Sequence, residues 1–401
     1  SYARPDMPGT LPTILYASPF PPMATGISDY SAVLVQGLKS YGEITLLIDD
    51  YRLENDQFYG DFQVKVYQKD SIDLDSFDFR IYNIGNNPRY HAYIYKAAMD
   101  FPGLIILHDF VLYYLVVGVY QHSGRFYSKL YELGGPEALH RIKPYSKQRT
   151  ELLECKHLAP RLPLNAEILH TDNKFMVHSH YAYDRVAEKI HNPNRLKKIN
   201  HVDLIEDPTE TIDRKSLFHK YDIPEDSTLL CSFGTIDPTK LNHVVCETVN
   251  ALNEQLNGNL LYLMVGEGDY VDQFLSSTIQ KTGYVDLKEF NSFIQYADMV
   301  INLRHPTMGE TSGAVIRALG FGKPCIVSDD AWFSELPDDT VVKVKNDHIS
   351  GSLYEVLLRL VQQPSLRDTL SSRAKLLIEN EHGVNKISRE ITDFLKSNES
   401  S

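Results

Sequence analysis

Three stretches of this chain carry side chains whose types and spacing can do chemistry. The densest is 303–329, LRHPTMGETSGAVIRALGFGKPCIVSD. Arg304 is a permanent cation with a bidentate fork, and Glu310 is a carboxylate suited to accept from sugar hydroxyls. Just beyond them, Thr311 and Ser312 offer hydroxyls for a helix N-cap. Open N–H groups at Ser312, Gly313 and Ala314, with the positive helix end, suit a phosphate or diphosphate. The second stretch is Gly234-Thr-Ile-Asp-Pro-Thr-Lys240, after the apolar run LLCSF. A Lys where a helix opens reaches a phosphate as a point charge. The third is His108-Asp109, directly after GLIIL, a pair that can position an imidazole or act as acid and base. A helix cap by Asp109 and a surface position for Lys240 stay open as plain structural alternatives.

The elements that must hold these residues follow from hydrophobic periodicity. In 303–329 an apolar run ends at Leu303, and Ala314, Val315, Ala318 and Leu319 repeat at helical spacing. Gly320 and Gly322 stop that helix, and CIVSD is a short buried strand. A first strand spans 13–18 and leads through Pro and Gly into a helix. There Gly26 would let backbone approach a ligand, and Ser28 or Asp29 would cap. Strands are expected at 44–48, 62–67, 79–84, 103–107 and 174–179, with helices at 90–99 and 181–189. The polar cluster 85–91, GNNPRYH, sits at a strand end and contains His91. Residues 111–170 read as mostly helical. The charged segment 192–210, with NPN and DP, reads as an inter-domain linker. A second series follows: strands at 229–233, 260–265, 298–303, 325–329 and 341–344, and helices to 252 and at 287–296, 351–363, 366–380 and 385–396.

Strands alternating with helices predict an α/β protein of two doubly wound parallel domains. The expected divisions are 1–195, 196–384 and a last helix, 385–401, that crosses back to the first domain. The net charge of −13 argues against nucleic acid and against broad attraction to anionic membranes. Four Cys show no metal-ligand spacing, and Cys231 and Cys325 lie in apolar runs, as buried free thiols would. The opening residues hold no apolar signal region, so a reducing, cytoplasmic compartment is expected. VLYYLVVGVY, 111–120, is about half the length of a membrane span and reads as a buried or interfacial helix. His178 and His180 read as packing or strand-end residues. The pairs Asp49-Asp50 and Asp73-x-Asp75 read as solvated acidic turns, and the tail after Ser397 as frayed.

The order Arg, Pro, Gly-Glu-Thr-Ser-Gly, Arg, Gly-Lys-Pro resembles the donor-binding segment of retaining glycosyltransferases of the GT-B fold, family 4 and its relatives. The resemblance extends over nearly the whole chain: a Gly loop after the first strand, His-Asp midway, the Lys loop, then Gly-Glu-Thr-Ser-Gly. It implies two Rossmann-like domains facing a cleft. It implies transfer of a sugar from a nucleotide diphosphate to a hydroxyl of a glycan or lipid-linked acceptor, with retention. The donor is a substrate; neither cofactor nor metal is implied. His108, Asp109 and Glu310 become the catalytic candidates. Gly26, Lys240, Arg304, Ser312 and Gly313 become diphosphate contacts. Gly234, Tyr284, Val285, Thr311 and Arg317 would meet nucleotide or sugar, and His91 the acceptor. Bacterial surface polysaccharide assembly, such as O-antigen, is the expected setting, with peripheral contact at the inner membrane through an apolar helix beside the basic run 141–149. Two positions depart from the pattern: Thr235 stands for a diphosphate-binding Arg, and Arg317 for a second Glu near the ribose. They keep two alternatives open, a non-catalytic partner subunit of the same fold and a sugar-nucleotide epimerase.

Overall fold

Runs of aliphatic residues flanked by Gly, Pro and Asn become parallel strands, and the amphipathic segments between them become the crossover helices. The computed structural model describes residues 9–145, 147–205, 210–257 and 259–397. The tail after Ser397, read as frayed, and 206–209, within the segment read as linker, lie outside the described residues. The chain divides into two compact units: Ser1–Val202 with Met308–Thr311 and Val384–Ser401, and Asp203–Thr307 with Ser312–Gly383.

Among the described residues the first unit holds seven parallel strands: β1 (Thr13–Ala17), β2 (Glu43–Ile48), β3 (Gln63–Val66), β4 (Phe79–Ile84), β5 (Leu104–Leu107), β6 (Lys174–Val177) and β7 (Leu196–Lys198). Their spatial order is β3-β2-β1-β4-β5-β6-β7. Among the described residues the second unit holds six: β8 (Thr228–Phe233), β9 (Leu260–Val265), β10 (Ile279–Lys281), β11 (Met299–Asn302), β12 (Cys325–Ser328) and β13 (Val342–Val344), ordered β10-β9-β8-β11-β12-β13. In each sheet the winding reverses once, between β1 and β4 and between β8 and β11. Loops diverge at such a reversal and leave a crevice beyond the carboxyl ends of the strands.

Each sheet is covered by its own core. Tyr82, Ile84, Ile105 and Phe175 are enclosed in the first unit, and Leu230, Tyr262, Met264 and Ile326 in the second. Each such side chain contributes about 1.5–3 kcal/mol through burial. The apolar run 111–120 becomes the helix Tyr113–Tyr120, with Tyr113, Leu115, Val116 and Val117 in the first core. No helix among the described residues is long and apolar enough to cross a membrane.

Three local expectations are corrected. Residues 196–198, read as linker, form β7 against β6. β10 was not foreseen; it pairs with β9. The helix Gly26–Leu38 is capped by Thr25, whose hydroxyl accepts from Ser28 N at 3.0 Å. Ser28 and Asp29 lie inside its first turn. The last helix, Val384–Lys396, packs its buried Ile387 and Ile391 within the first unit, against the Gly26–Leu38 helix. Gly37 permits the approach, because a Cβ there would overlap Ser388 Oγ. Lys174 Nζ holds the end of this helix by donating to Phe394 O at 2.9 Å and Ser397 O at 2.7 Å.

Candidate functional site

In the second unit the reversal between β8 and β11 gathers the cationic candidates. The turn after β8 is locked to the turn after β9. Gly234 N donates to Val265 O at 3.0 Å, and Ile236 N donates to Glu267 O at 2.6 Å. The two turns meet backbone to backbone, so a Cβ at Gly266 would overlap Gly234 O. Asp237 caps the following turn, accepting from Thr239 N at 3.0 Å and Thr239 Oγ1 at 2.8 Å. That fold-back brings the Lys240 ammonium over Gly234, where a Cβ would stand 2.8 Å from Nζ. Gly234 takes φ +95, a conformation strained for other residues, so the lysine's seat depends on glycine for both reasons.

The loop after β11 joins this turn, since His305 N donates to Thr239 O at 2.8 Å. Arg304 precedes it, half-buried, its backbone N–H held by Ser328 Oγ at 2.8 Å, at the carboxyl end of β12. Ser312 caps the helix Gly313–Gly320 by accepting from Val315 N, and its hydroxyl also takes Asn302 Nδ2, both at 3.2 Å. The N–H groups of Gly313 and Ala314 precede that first bond at the positive helix end. Lys240 and Arg304, on the segments that follow β8 and β11, and Ser312 and Gly313, at the start of the next helix, thus belong to one reversal of one sheet. Tyr284 and Val285 follow β10 on the turn at Gly283; Tyr284 is 69% exposed and Val285 9%. Thr235 is exposed beside Gly234.

Arg317 has another surrounding. It is 4% exposed, and its guanidinium donates to Leu204 O and Asn291 Oδ1 at 3.3 and 3.4 Å. A fork so enclosed fastens the second unit's own framework and offers no face to a nucleotide.

In the first unit the candidates converge on the turn after β4. Asp109 Oδ2 accepts from Asn86 N at 2.8 Å, so this carboxylate shapes the 85–87 turn. Asn83 Nδ2 donates to Ala17 O at 3.2 Å, which leaves its Oδ1 to face His108 Nε2 at 2.9 Å. Nε2 therefore carries the proton, and Nδ1 is the acceptor. The His108 ring packs against Tyr30 and His178 at 4.8 and 5.3 Å between centroids. His201 lies 4.9 Å from the same tyrosine. Burial first, then the neighbouring imidazoles, hold His108 well below the usual histidine range, so its ring is neutral. This cluster of three histidines about Tyr30 was not legible in the sequence, since its members come from four separate segments.

His91 is 1% exposed and its Nδ1 meets Asn83 O at 2.8 Å. A ring so enclosed reaches no acceptor directly; it supports the 85–87 turn from beneath. Burial pushes its pKa down to about 4. Gly26 is exposed, with nothing within 4 Å of a Cβ placed there. The protein itself does not require glycine at that position. Residues 308–311 belong to this unit: Val111 N donates to Met308 O at 3.2 Å, and Glu310 Oε2 accepts from Met308 N at 2.7 Å. Thr311 follows, half-buried. No group of three or more His, Cys, Asp or Glu is placed to hold a metal ion among the described residues.

No protein-family model and no curated protein sequence matches this chain. Solved structures do. The chain is similar to WaaG, a glycosyltransferase involved in lipopolysaccharide biosynthesis, at 13% identity and TM-score 0.61, over 96% of this chain and 100% of that one. It is similar to Anabaena HepE, solved with UDP-glucose, at 12% identity and TM-score 0.65, over 96% and 100%. It is also similar to sucrose-phosphate synthase from Thermosynechococcus elongatus, at 13% identity and TM-score 0.64, over 95% and 97%. The fold is therefore that of two doubly wound α/β domains, GT-B.

Proposed function

We propose that this chain is a glycosyltransferase that moves a sugar from a nucleotide diphosphate to a hydroxyl acceptor, with retention and without a metal. The observation that carries the reading is the seat of Lys240 over Gly234 at the reversal of the second sheet, with Arg304 and the capped helix start on the neighbouring loops. A departing diphosphate gains negative charge in the transition state. Fixed cations and N–H dipoles stabilise that charge with no reorganisation at the moment of reaction. HepE, of like fold, is solved with UDP-glucose, which supports a UDP-sugar donor.

In the first unit, neutral His108 would accept a sugar hydroxyl at Nδ1, and Glu310 would accept others. Asp109 and His91 act as positioning residues beneath the 85–87 turn. Tyr284 and Val285 are assigned to the base. The leaving phosphate itself serves as base toward the acceptor hydroxyl. Assembly of a bacterial surface glycan at the cytoplasmic face of the membrane fits these assignments. Thr235, exposed where the resembled family holds an Arg, keeps a non-catalytic binding subunit as the second reading.

The test is turnover of UDP-glucose by the purified protein, hydrolysis included, beside titration with UDP. Lys240→Ala and Glu310→Ala should each lower turnover by about 100-fold or more. Full activity in both variants would refute the assignment. UDP binding with no turnover of any nucleotide sugar would favour the binding subunit.

A further inference from the structure

The reversal of the first sheet, between β1 and β4, holds a cavity of about 220 Å³ that none of the assignments above uses. Three loops build it. The segment after β1 supplies Pro19 and Met23, the segment after β2 supplies Asp49, Asp50 and Tyr51, and the first turns of the Pro88–Asp100 helix supply Arg89, Tyr90 and Tyr93. Its volume lies below the roughly 300–1,000 Å³ of sites for drug-sized ligands. It fits one small ring and no nucleotide.

The lining is apolar and aromatic inside and polar at the rim. Tyr51 is fixed, because its hydroxyl accepts from Phe20 N at 2.9 Å. Tyr93 is buried and its ring packs on Tyr67 at 5.1 Å. Tyr90 is half-buried, with the Arg89 guanidinium 5.2 Å from its ring centre. At the rim, Asp49 and Asp50 are exposed. Asp49 Oδ1 accepts from Asp50 N at 2.8 Å, and Asp50 pairs with Lys69 at 2.7 Å. Lys69 thus offsets Asp50 from outside the cavity, and the lining itself sets Asp49 and Asp50 against the single cation Arg89. The rim offers strong acceptors and donors and no surplus charge to draw an anion.

Apolar aromatic faces beside charged hydrogen-bonding groups match a saccharide ring, which carries C–H bonds on its faces and hydroxyls at its edge. We infer that this cavity binds one neutral pyranose unit of the acceptor. The inference rests on the reading that the chain transfers a sugar, and it names the class of the second substrate. Asp49 accepts from vicinal hydroxyls, Arg89 donates to ring or hydroxyl oxygens, and Tyr90 stacks. An anionic sugar gains no surplus cation here and meets the Asp49 carboxylate.

The experiment is saturation-transfer NMR on the whole chain with the methyl glycosides of glucose, galactose, mannose, N-acetylglucosamine and glucuronic acid, each with and without UDP. At least one neutral glycoside should bind, and more tightly than the glucuronide. Tyr90→Ala and Asp49→Asn should each weaken it by about tenfold or more, the effect of losing one contact with a charged or stacking partner. UDP affinity and the melting temperature should be unchanged in both variants. Undiminished binding in both variants would overturn the inference, and so would failure of every glycoside to bind wild type. In either case, retained UDP-glucose turnover leaves the transferase reading standing. Conversely, glycoside binding lost in the variants, in a protein that turns over no nucleotide sugar, keeps the pocket and removes the transferase reading.

Discussion

The two sheets reverse in the same way but fill the two crevices with opposite chemistry. The second unit uses backbone: glycine turns pressed together, a capped helix start, and the cations Lys240 and Arg304. The first unit uses aromatic and neutral polar side chains: tyrosines, buried histidines and carboxylates set beside cations. On the readings proposed above, one topology would make an anion site where chain atoms can come close, and a site for uncharged ligands where bulky rings line the crevice. The difference lies in the loops and owes nothing to the strands.

The sharpest way to break this contrast is Lys240→Ala. It should remove most UDP affinity and lower UDP-glucose turnover by about 100-fold, roughly 3 kcal/mol. Titration with a neutral methyl glycoside should be unaffected. Equal losses of both ligands would mean that the two crevices do not divide the labour as proposed.

Gly266→Ala tests the backbone seat itself. The added Cβ overlaps Gly234 O, and relief requires the two turns to part. Overpacking of this kind costs about 1–3 kcal/mol. Thermal unfolding should shift down, and UDP affinity measured below the transition should fall because Lys240 loses its place. A melt and an affinity both equal to wild type would show that the locked turns do not hold the lysine.

The first unit should reveal its buried imidazoles through pH. His91 is held near 4 against an unfolded value of about 6.5. Between those values the unfolded chain binds a proton that the folded chain refuses, so stability rises with pH through that window and is complete above it. Acidification from pH 7 toward 4 should cost up to about 1.4 kcal/mol per pH unit for this histidine, and His108 acts in the same direction. Urea midpoints should fall on acidification in wild type and less steeply in His91→Gln. Identical slopes would sink this account.

How much of this was legible follows the same physics. Strands buried on both faces, such as LLYLMV in β9, announce themselves as apolar runs. β7 (LKK) and β10 (IQK) do not, because each is a three-residue strand at the rim of its sheet with polar side chains. That Gly234 and Lys240 share one loop could be read, because they are six residues apart; the seat of the ammonium over the glycine could not. The Tyr30 histidine cluster and the cavity behind Asp49 could not, since each is assembled from loops far apart in sequence. The enclosed setting of Arg317 was not legible for a related reason: position in a motif does not say which way a helix side chain faces.

The smallest effect tests the departure at Thr235. This residue is exposed beside Gly234, so an arginine there would reach solvent and the anion crevice without repacking any core. If the second cation is missing, Thr235→Arg should tighten UDP by a few-fold, the value of one partly screened charge contact. If Arg304 already supplies it, the gain should be negligible in wild type and emerge only in an Arg304→Ala background. Comparing the two backgrounds by calorimetry separates the cases, because two cations serving one diphosphate are coupled and their effects cannot add. An equal gain in both backgrounds would place Arg304 outside the diphosphate's reach, and the positive end of the Gly313–Gly320 helix would then remain as Lys240's partner in the anion site.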